Sequence, residues 1–146
     1  MQIKVVNLNE EYKKQLINLS KIWAQENCTY GLVENSESDL KEPVSVALKG
    51  DKIIGYAFGH FYNEQETRSY IEVGSACFSV DEFYVLPEYR SKGIGKKIFK
   101  ALESEVMGKC AYITFCTSTK NYEAILKLYT KELGMVFHSA FLIKKT

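Results

Sequence analysis

A chain of 146 residues, 46% of them hydrophobic, can bury one sizeable core and has little material for a second, so a single domain over residues 1–146 is expected. Its 19 basic and 18 acidic residues leave a net charge of +1, which excludes a global field able to gather nucleic acid or an anionic membrane surface. There is no basic start followed by an apolar stretch and no long apolar run, so neither a signal peptide nor a membrane span is expected, and the default location is the cytoplasm.

In chain order, residues 3–6 read as a first strand, and Asn9 is placed to cap a helix over about 10–25 whose apolar side carries Leu16, Leu19, Ile22 and Trp23. Residues 27–42 have no clear period and hold Glu34, Glu37, Asp39 and Glu42 against Lys41, which reads as a loop with a short helix from Ser38. Two strands, 44–48 and 53–62, joined through Gly50, form an antiparallel hairpin. The polar run 63–69 turns the chain into a third extended stretch, 70–85, long enough to need a break near Gly74. A strand at 111–116, a helix capped by Ser118, Thr119 or Asn121 that runs to about Leu133 and stops at Gly134, and strand material over 135–144 with a kink near Ser139-Ala140 complete the chain. Cys28, Cys77, Cys110 and Cys116 fit no metal or redox spacing and read as free, mostly buried thiols, and no metal is expected.

One stretch changes period. Phe78, Val80, Phe83 and Val85 suit a strand against a core, whereas Ile94, Ile98, Ala101 and Leu102 recur at helical spacing. Two glycines, Gly93 and Gly95, stand at the junction, where they let a ligand approach the first free N–H groups of the helix. Such an end favours a phosphate or pyrophosphate. The spacing fits neither a P-loop, which needs four residues between its glycines, nor a dinucleotide fingerprint, which would need glycine in place of Ile98.

The run from Val85-Leu86-Pro87 through Arg90-Ser91-Lys92-Gly93-Ile94-Gly95 does match Arg/Gln-x-x-Gly-x-Gly/Ala, and thereby resembles the acetyl-CoA motif of the GNAT superfamily of N-acetyltransferases. The element order fits that family from end to end. The resemblance implies an α/β (α+β) domain: a mixed, mostly antiparallel sheet flanked by helices, with a parallel strand pair splayed at the acetyl-CoA site. It further implies that Phe83, Tyr84 and Val85 meet the pantetheine and that Ser91, Lys92, Gly93, Ile94, Gly95 and Lys96, with Arg90, surround the pyrophosphate. Asn121 resembles the asparagine that contacts the cofactor at the start of the last helix.

Acetyl transfer needs a neutral amine, a stabilised oxyanion and a stabilised leaving thiolate. Asp81 and Glu82 lie on the strand at the cleft, and simple alternation sends them to opposite faces. That favours Glu82 as the base, because Asp81 shares the parity of Phe83 and Val85, although a bulge would reverse the argument. Tyr129, in Leu128-Tyr129-Thr130-Lys131-Glu132-Leu133-Gly134-Met135, resembles the family's thiolate-protonating tyrosine, with one residue more before the glycine. Each extra residue turns a helix by about 100°. Two functions follow: an acetyl-CoA-dependent transferase acting on a primary amine of a small molecule (polyamine- or aminoglycoside-like) or peptide, or a non-catalytic module that binds acyl-CoA. No nucleic acid or membrane partner is expected, and a homodimer is left open.

Overall fold

The computed structural model describes residues 1–67 and 70–146. Five strands, β1 (Gln2–Val6), β2 (Val44–Lys49), β3 (Lys52–Asn63), β4 (Ala76–Val85) and β5 (Tyr112–Phe115), form one sheet in sequence order. Each neighbouring pair is antiparallel except β4 and β5, which are parallel and joined by a helical crossover. The helices are α1 (Glu10–Gln25), α2 (Ile94–Val106) and α3 (Tyr122–Lys127), the last running on into a π-helical turn, Leu128–Glu132. Asn9 caps α1 as expected, its Oδ1 accepting the Tyr12 N–H at 2.7 Å.

The sheet is covered on both faces, so the middle of β2 and β3 is apolar or small throughout and buried. Trp23 of α1 stacks on Tyr84, and Phe99 of α2 packs against Phe83; because neighbouring strand residues point oppositely, the two helices lie on opposite faces. Register places Ser45, Ala47, Gly55 and Ala57 on the α2 face with Phe83 and Val85. These small residues let α2 settle close to the strands: a Cβ at Gly55 would stand 2.9 Å from Ile98 Cδ1.

One irregularity in the sheet positions the site. Phe58 pairs with Glu82 but Gly59 pairs with Val80, which leaves Asp81 as an extra residue on β4. Gly59 makes this bulge sterically feasible, since a Cβ there would lie only 1.8 Å from the Ser79 carbonyl oxygen. The break expected near Gly74 is a turn before the strand, with the Gly74 N–H donating to the Glu64 carbonyl at 2.8 Å. Of the polar run 63–69 that precedes it, Arg68 and Ser69 lie outside the described residues.

Three expectations are corrected. The short helix from Ser38 is a 3-10 turn, Glu37–Asp39, begun by a Ser36–Asp39 capping box. Of the four cysteines only Cys77 is buried, and Cys116 is exposed. Residues 135–144 form no strand, because an extended segment becomes one only when another strand pairs with it, and here Phe141, Leu142 and Ile143 are 83–89% exposed.

Gly59→Ala should destabilise the fold by about 2 kcal/mol or more, because the methyl group meets backbone that cannot rotate away. Urea unfolding measures this, and an unchanged midpoint would mean that the bulge shifts without strain.

Candidate active site

The glycine turn lies between β4 and α2. A 3-10 turn, Pro87–Tyr89, is followed by Ser91 at φ +59° and Gly93 at φ +75°, and α2 begins at Ile94. Gly93 is favoured by its dihedral, whereas Gly95 is favoured by contact: a Cβ there would lie 3.3 Å from the Phe83 ring, which would have to give by a few tenths of an ångström. The first helical bond runs from Lys97 N–H to the Gly93 carbonyl, and among the described residues the N–H groups of residues 91–96 meet no protein acceptor. Together with the helix dipole they form a positive concavity.

The basic side chains around it are differently engaged. Arg90 turns away to the end of α1: its Nη2 donates to both Glu26 carboxylate oxygens at 2.9 Å, and its Nε donates to the Val85 carbonyl at 2.7 Å. The guanidinium also lies 5.3 Å over the Tyr84 ring, whose hydroxyl donates to Glu26. Lys92 folds back onto the Glu88 carbonyl at 3.0 Å. Among the described residues Lys96 alone of the three keeps its ammonium without a protein partner.

Beside the glycine turn the sheet opens. Pairing between β4 and β5 ends at Val80 with Phe115, one residue before the bulge. The Leu86 N–H reaches the Ile54 carbonyl of β3 at 3.0 Å, so by alternation the peptide groups of Phe83 and Val85 point away from β3 into the gap. This is where pantetheine amides were expected, with the Val85 carbonyl now shared by Arg90. Tyr84 is the exception in its set: its peptide groups face β3 and its ring stacks on Trp23 at 5.0 Å, so it stands apart from the gap. Asn121 is exposed at the start of α3, its N–H donating to Thr119 Oγ1 at 3.2 Å.

Tyr129 stands at the mouth of the gap, its ring 4.7 Å from Phe115 of β5 and 6.3 Å from Phe83 of β4. The additional residue before Gly134 is absorbed in the π-helical turn Leu128–Glu132 that contains the tyrosine, where Leu133 N–H bonds to the Leu128 carbonyl at 3.0 Å. Widening that turn takes up the insertion while Tyr129 stays on the cleft side. Burial raises its pKa, so it is protonated at neutral pH, and its hydroxyl donates to no group among the described residues.

The bulge changes the carboxylate geometry. Glu82 accepts from Tyr56 Oη at 2.7 Å, while Asp81 meets His60 Nδ1 at 2.7 Å and Lys41 at 3.6 Å. Tyr56 and His60 project from one face of β3, so both carboxylates stand on the α1 face, where alternation alone would separate them. Glu82 also accepts two bonds from Asn35 Nδ2, at 2.8 and 2.9 Å, which ties the acidic loop to the strand. Burial raises the pKa of Glu82, with Asp39 and Asp81 adding to it, while the bonds from Tyr56 and Asn35 oppose the rise. The arrangement is a partly buried carboxylate on two donors, able to take a proton from a cation entering on this face. Among the described residues no group of three or more His, Cys, Asp or Glu side chains could hold a metal ion, and no helix is long and apolar enough to cross a membrane.

Sequence reasoning missed Asn35, Tyr56 and Glu26. Tyr56 sits in a hydrophobic run that disguises its hydroxyl, and Asn35 and Glu26 act only through contacts across the chain.

The model of the acetyltransferase (GNAT) family matches residues 6–135, and the chain belongs to that family. No curated protein matches the chain. Among solved structures it is similar to an aminoglycoside N-acetyltransferase, AAC(6')-Iy, in complex with CoA, at 17% identity and a TM-score of 0.69 over 99% of this chain and 98% of that one. It is also similar to a ribosomal-protein-alanine N-acetyltransferase from Brucella melitensis biovar Abortus 2308 (18%, 0.66, covering 99% and 100%) and to a Trypanosoma brucei acetyltransferase (18%, 0.67, covering 99% and 100%). At these identities the likeness shows the fold.

The Glu82 geometry generates a pH prediction. A base must be ionised, so activity should fall as the pH drops through the raised pKa of Glu82. Tyr56→Phe removes a donor that favours the carboxylate, so the acid limb of kcat/KM against pH should move to higher pH. An unmoved limb, with the variant folded, would mean that Glu82 is not the titrating base.

Proposed function

We propose that the chain transfers an acetyl group from acetyl-CoA to a primary amine of a small molecule or peptide by direct attack on the thioester. The observation that carries this reading is the partly buried Glu82 carboxylate, held by Tyr56 and Asn35 beside the opening between β4 and β5. A partly buried carboxylate of raised pKa beside the opening supports turnover over a module that only binds acyl-CoA.

The pyrophosphate of acetyl-CoA would take the N–H groups of residues 91–96, with Gly93 and Gly95 admitting its close approach and Lys96 adding charge. The pantetheine would lie along β4 as an added strand on the peptide groups of Phe83 and Val85. For the Val85 carbonyl to be fully available, Arg90 must release it.

The amine arrives as an ammonium, drawn to a face that carries Glu82, Asp81 and Asp39. Glu82 takes a proton, directly or through water, and the freed nitrogen lone pair attacks the thioester carbonyl carbon. The tetrahedral adduct collapses with rupture of the C–S bond: the electron pair leaves on sulfur, and the remaining extra proton on the nitrogen passes through water to the departing thiolate or to solvent, giving the amide and CoA. Tyr129 meets the charge on sulfur with its hydroxyl. A tyrosine of raised pKa is a weaker acid than a thiol, so a hydrogen bond to the departing thiolate is favoured over complete proton transfer.

The activity test is CoA release over a panel containing a polyamine, an aminoglycoside and a peptide with a free amine. With the best acceptor, Glu82→Gln should lower kcat by about a hundredfold or more, and Tyr129→Phe by about tenfold or more, with CoA binding kept in both. Wild-type turnover in Glu82→Gln would remove the carboxylate from the reaction. Tight CoA binding with no acceptor turned over would return the binding-module reading.

A further inference from the structure

A serine occupies a core position of α1. Leu16, Leu19 and Ser20 are the buried residues of that helix, and Ser20 is completely covered. A hydroxyl in such a place is costly unless it is bonded, and serine is a poorer helix former than alanine. Here it bonds twice: Ser20 Oγ donates to the Ile17 carbonyl at 2.7 Å and accepts the Asn35 N–H at 2.9 Å. The second bond reaches out of the helix and fixes the backbone of Asn35 against it.

The loop that carries Asn35 is anchored along its length. The next residue, Ser36, opens the capping box of the Glu37–Asp39 turn, its N–H donating to Asp39 Oδ2 at 2.7 Å. Earlier in the loop the Tyr30 N–H donates to the Ser118 carbonyl at 3.0 Å, and near its end Glu42 Oε1 accepts the Leu8 N–H at 2.6 Å. From this fixed segment one side-chain nitrogen, Asn35 Nδ2, reaches both oxygens of Glu82, at 2.8 and 2.9 Å.

An ionised carboxylate offers about four acceptor positions, two on each oxygen. Tyr56 Oη and Asn35 Nδ2 together fill Oε2, and Asn35 Nδ2 also takes one position on Oε1, so among the described residues a single position remains, on Oε1. With Glu82 taken as the base, the reading on which this rests, we propose that Asn35, fixed by Ser20, is the positioning residue that holds the carboxylate so that Oε1 receives the proton of the acceptor amine. The N–H bond of the ammonium breaks, an O–H bond forms on Oε1, and the electron pair of the broken bond stays on nitrogen for the attack. Without Asn35 the carboxylate would keep the Tyr56 bond alone and turn about its last torsion, which is broad and twofold, offering either oxygen. Burial first, and then Asp39 from the 3-10 turn and Asp81 from its own strand, disfavour the ionised form, while the neutral donors Tyr56 and Asn35 favour it. Asp81 is itself paired with His60 and Lys41.

Two variants of the whole chain test this: Asn35→Leu keeps the size of the side chain and removes its donors, and Ser20→Ala removes the anchor of Asn35. Carboxyl-carbon NMR of labelled protein should show Glu82 titrating at higher pH in Asn35→Leu than in the wild type, because a bond to the charged form is gone, and this readout needs no acceptor. With an acceptor that turns over, kcat should fall by about tenfold or more in Asn35→Leu and by less in Ser20→Ala, with the KM for the amine within about threefold of wild type and CoA affinity kept. In the Glu82→Gln background, Asn35→Leu should lower kcat no further. Should Asn35→Leu fail to fold, the same titration read in Ser20→Ala decides. An unmoved titration in the folded variant overturns the proposal, as does a wild-type kcat in Asn35→Leu while Glu82→Gln is slow. A lower amine KM with kcat kept overturns it equally, since Asn35 would then be standing in the place of the acceptor. Wild-type turnover in Glu82→Gln removes the base itself, and the proposal with it.

Discussion

The site depends on one residue that the strand ladder skips. Asp81 is left out of the β3–β4 ladder, and Gly59 opposite lets the strand crowd past it. The bulge sets both sides of β4 at once. On the β3 side it brings Asp81 and Glu82 to the same face, and on the β5 side pairing stops at the residue before it. A bulge bends its strand and increases local twist, so the carboxylate pair and the opening between β4 and β5 follow from a single insertion. Without it, β4 would be an ordinary central strand, with alternating side chains and no exposed peptide groups.

Electrostatics then divide the site into two parts of opposite sign. The glycine turn and the start of α2 present unpaired N–H groups, while the α1 face presents Glu82, Asp81 and Asp39. Between them, Glu26 takes up Arg90 and the Tyr84 hydroxyl, so the strongest cation near the turn is neutralised before any anion arrives. On the proposed reading, a pyrophosphate there would rely on backbone donors, which are preorganised and need no side-chain ordering, and on the charge of Lys96. Glu26 has a structural use of its own, since it ties the end of α1 to the end of β4 across the chain.

Much of this was legible in the sequence, and the parts that were not have physical reasons. The period change at Gly93 and Gly95 marked the strand, turn and helix because both glycines answer local requirements, a positive dihedral and a close ring contact. The bulge was not legible, because a run such as Ser79-Val80-Asp81-Glu82 alternates acceptably in either register and only the partner strand decides. The spacing of Tyr129 showed that a residue had been added but not where the helix would absorb it. The π-helical turn Leu128–Glu132, which contains Tyr129, takes it up, and the ring keeps its contacts with Phe83 and Phe115. Ion pairs and hydrogen bonds between distant segments, such as Glu26 with Arg90 and Asn35 with Glu82, leave no periodic trace. The final segment, 135–144, was read as strand material from its apolar composition, but a strand is a property of two segments, and sequence describes one at a time.

The central claim is that the turn between β4 and α2, together with the gap beside it, is the acetyl-CoA site. Amide hydrogen exchange with and without CoA reads it directly, because among the described residues the N–H groups of 91–96 meet no acceptor and the peptide groups of Phe83 and Val85 face the opening. The account predicts that saturating CoA slows exchange at 91–96 and at Phe83 and Val85, while amides in β1 and β2 change little. Binding of CoA with exchange at 91–96 unaltered, or no binding at all by the folded chain, would contradict it.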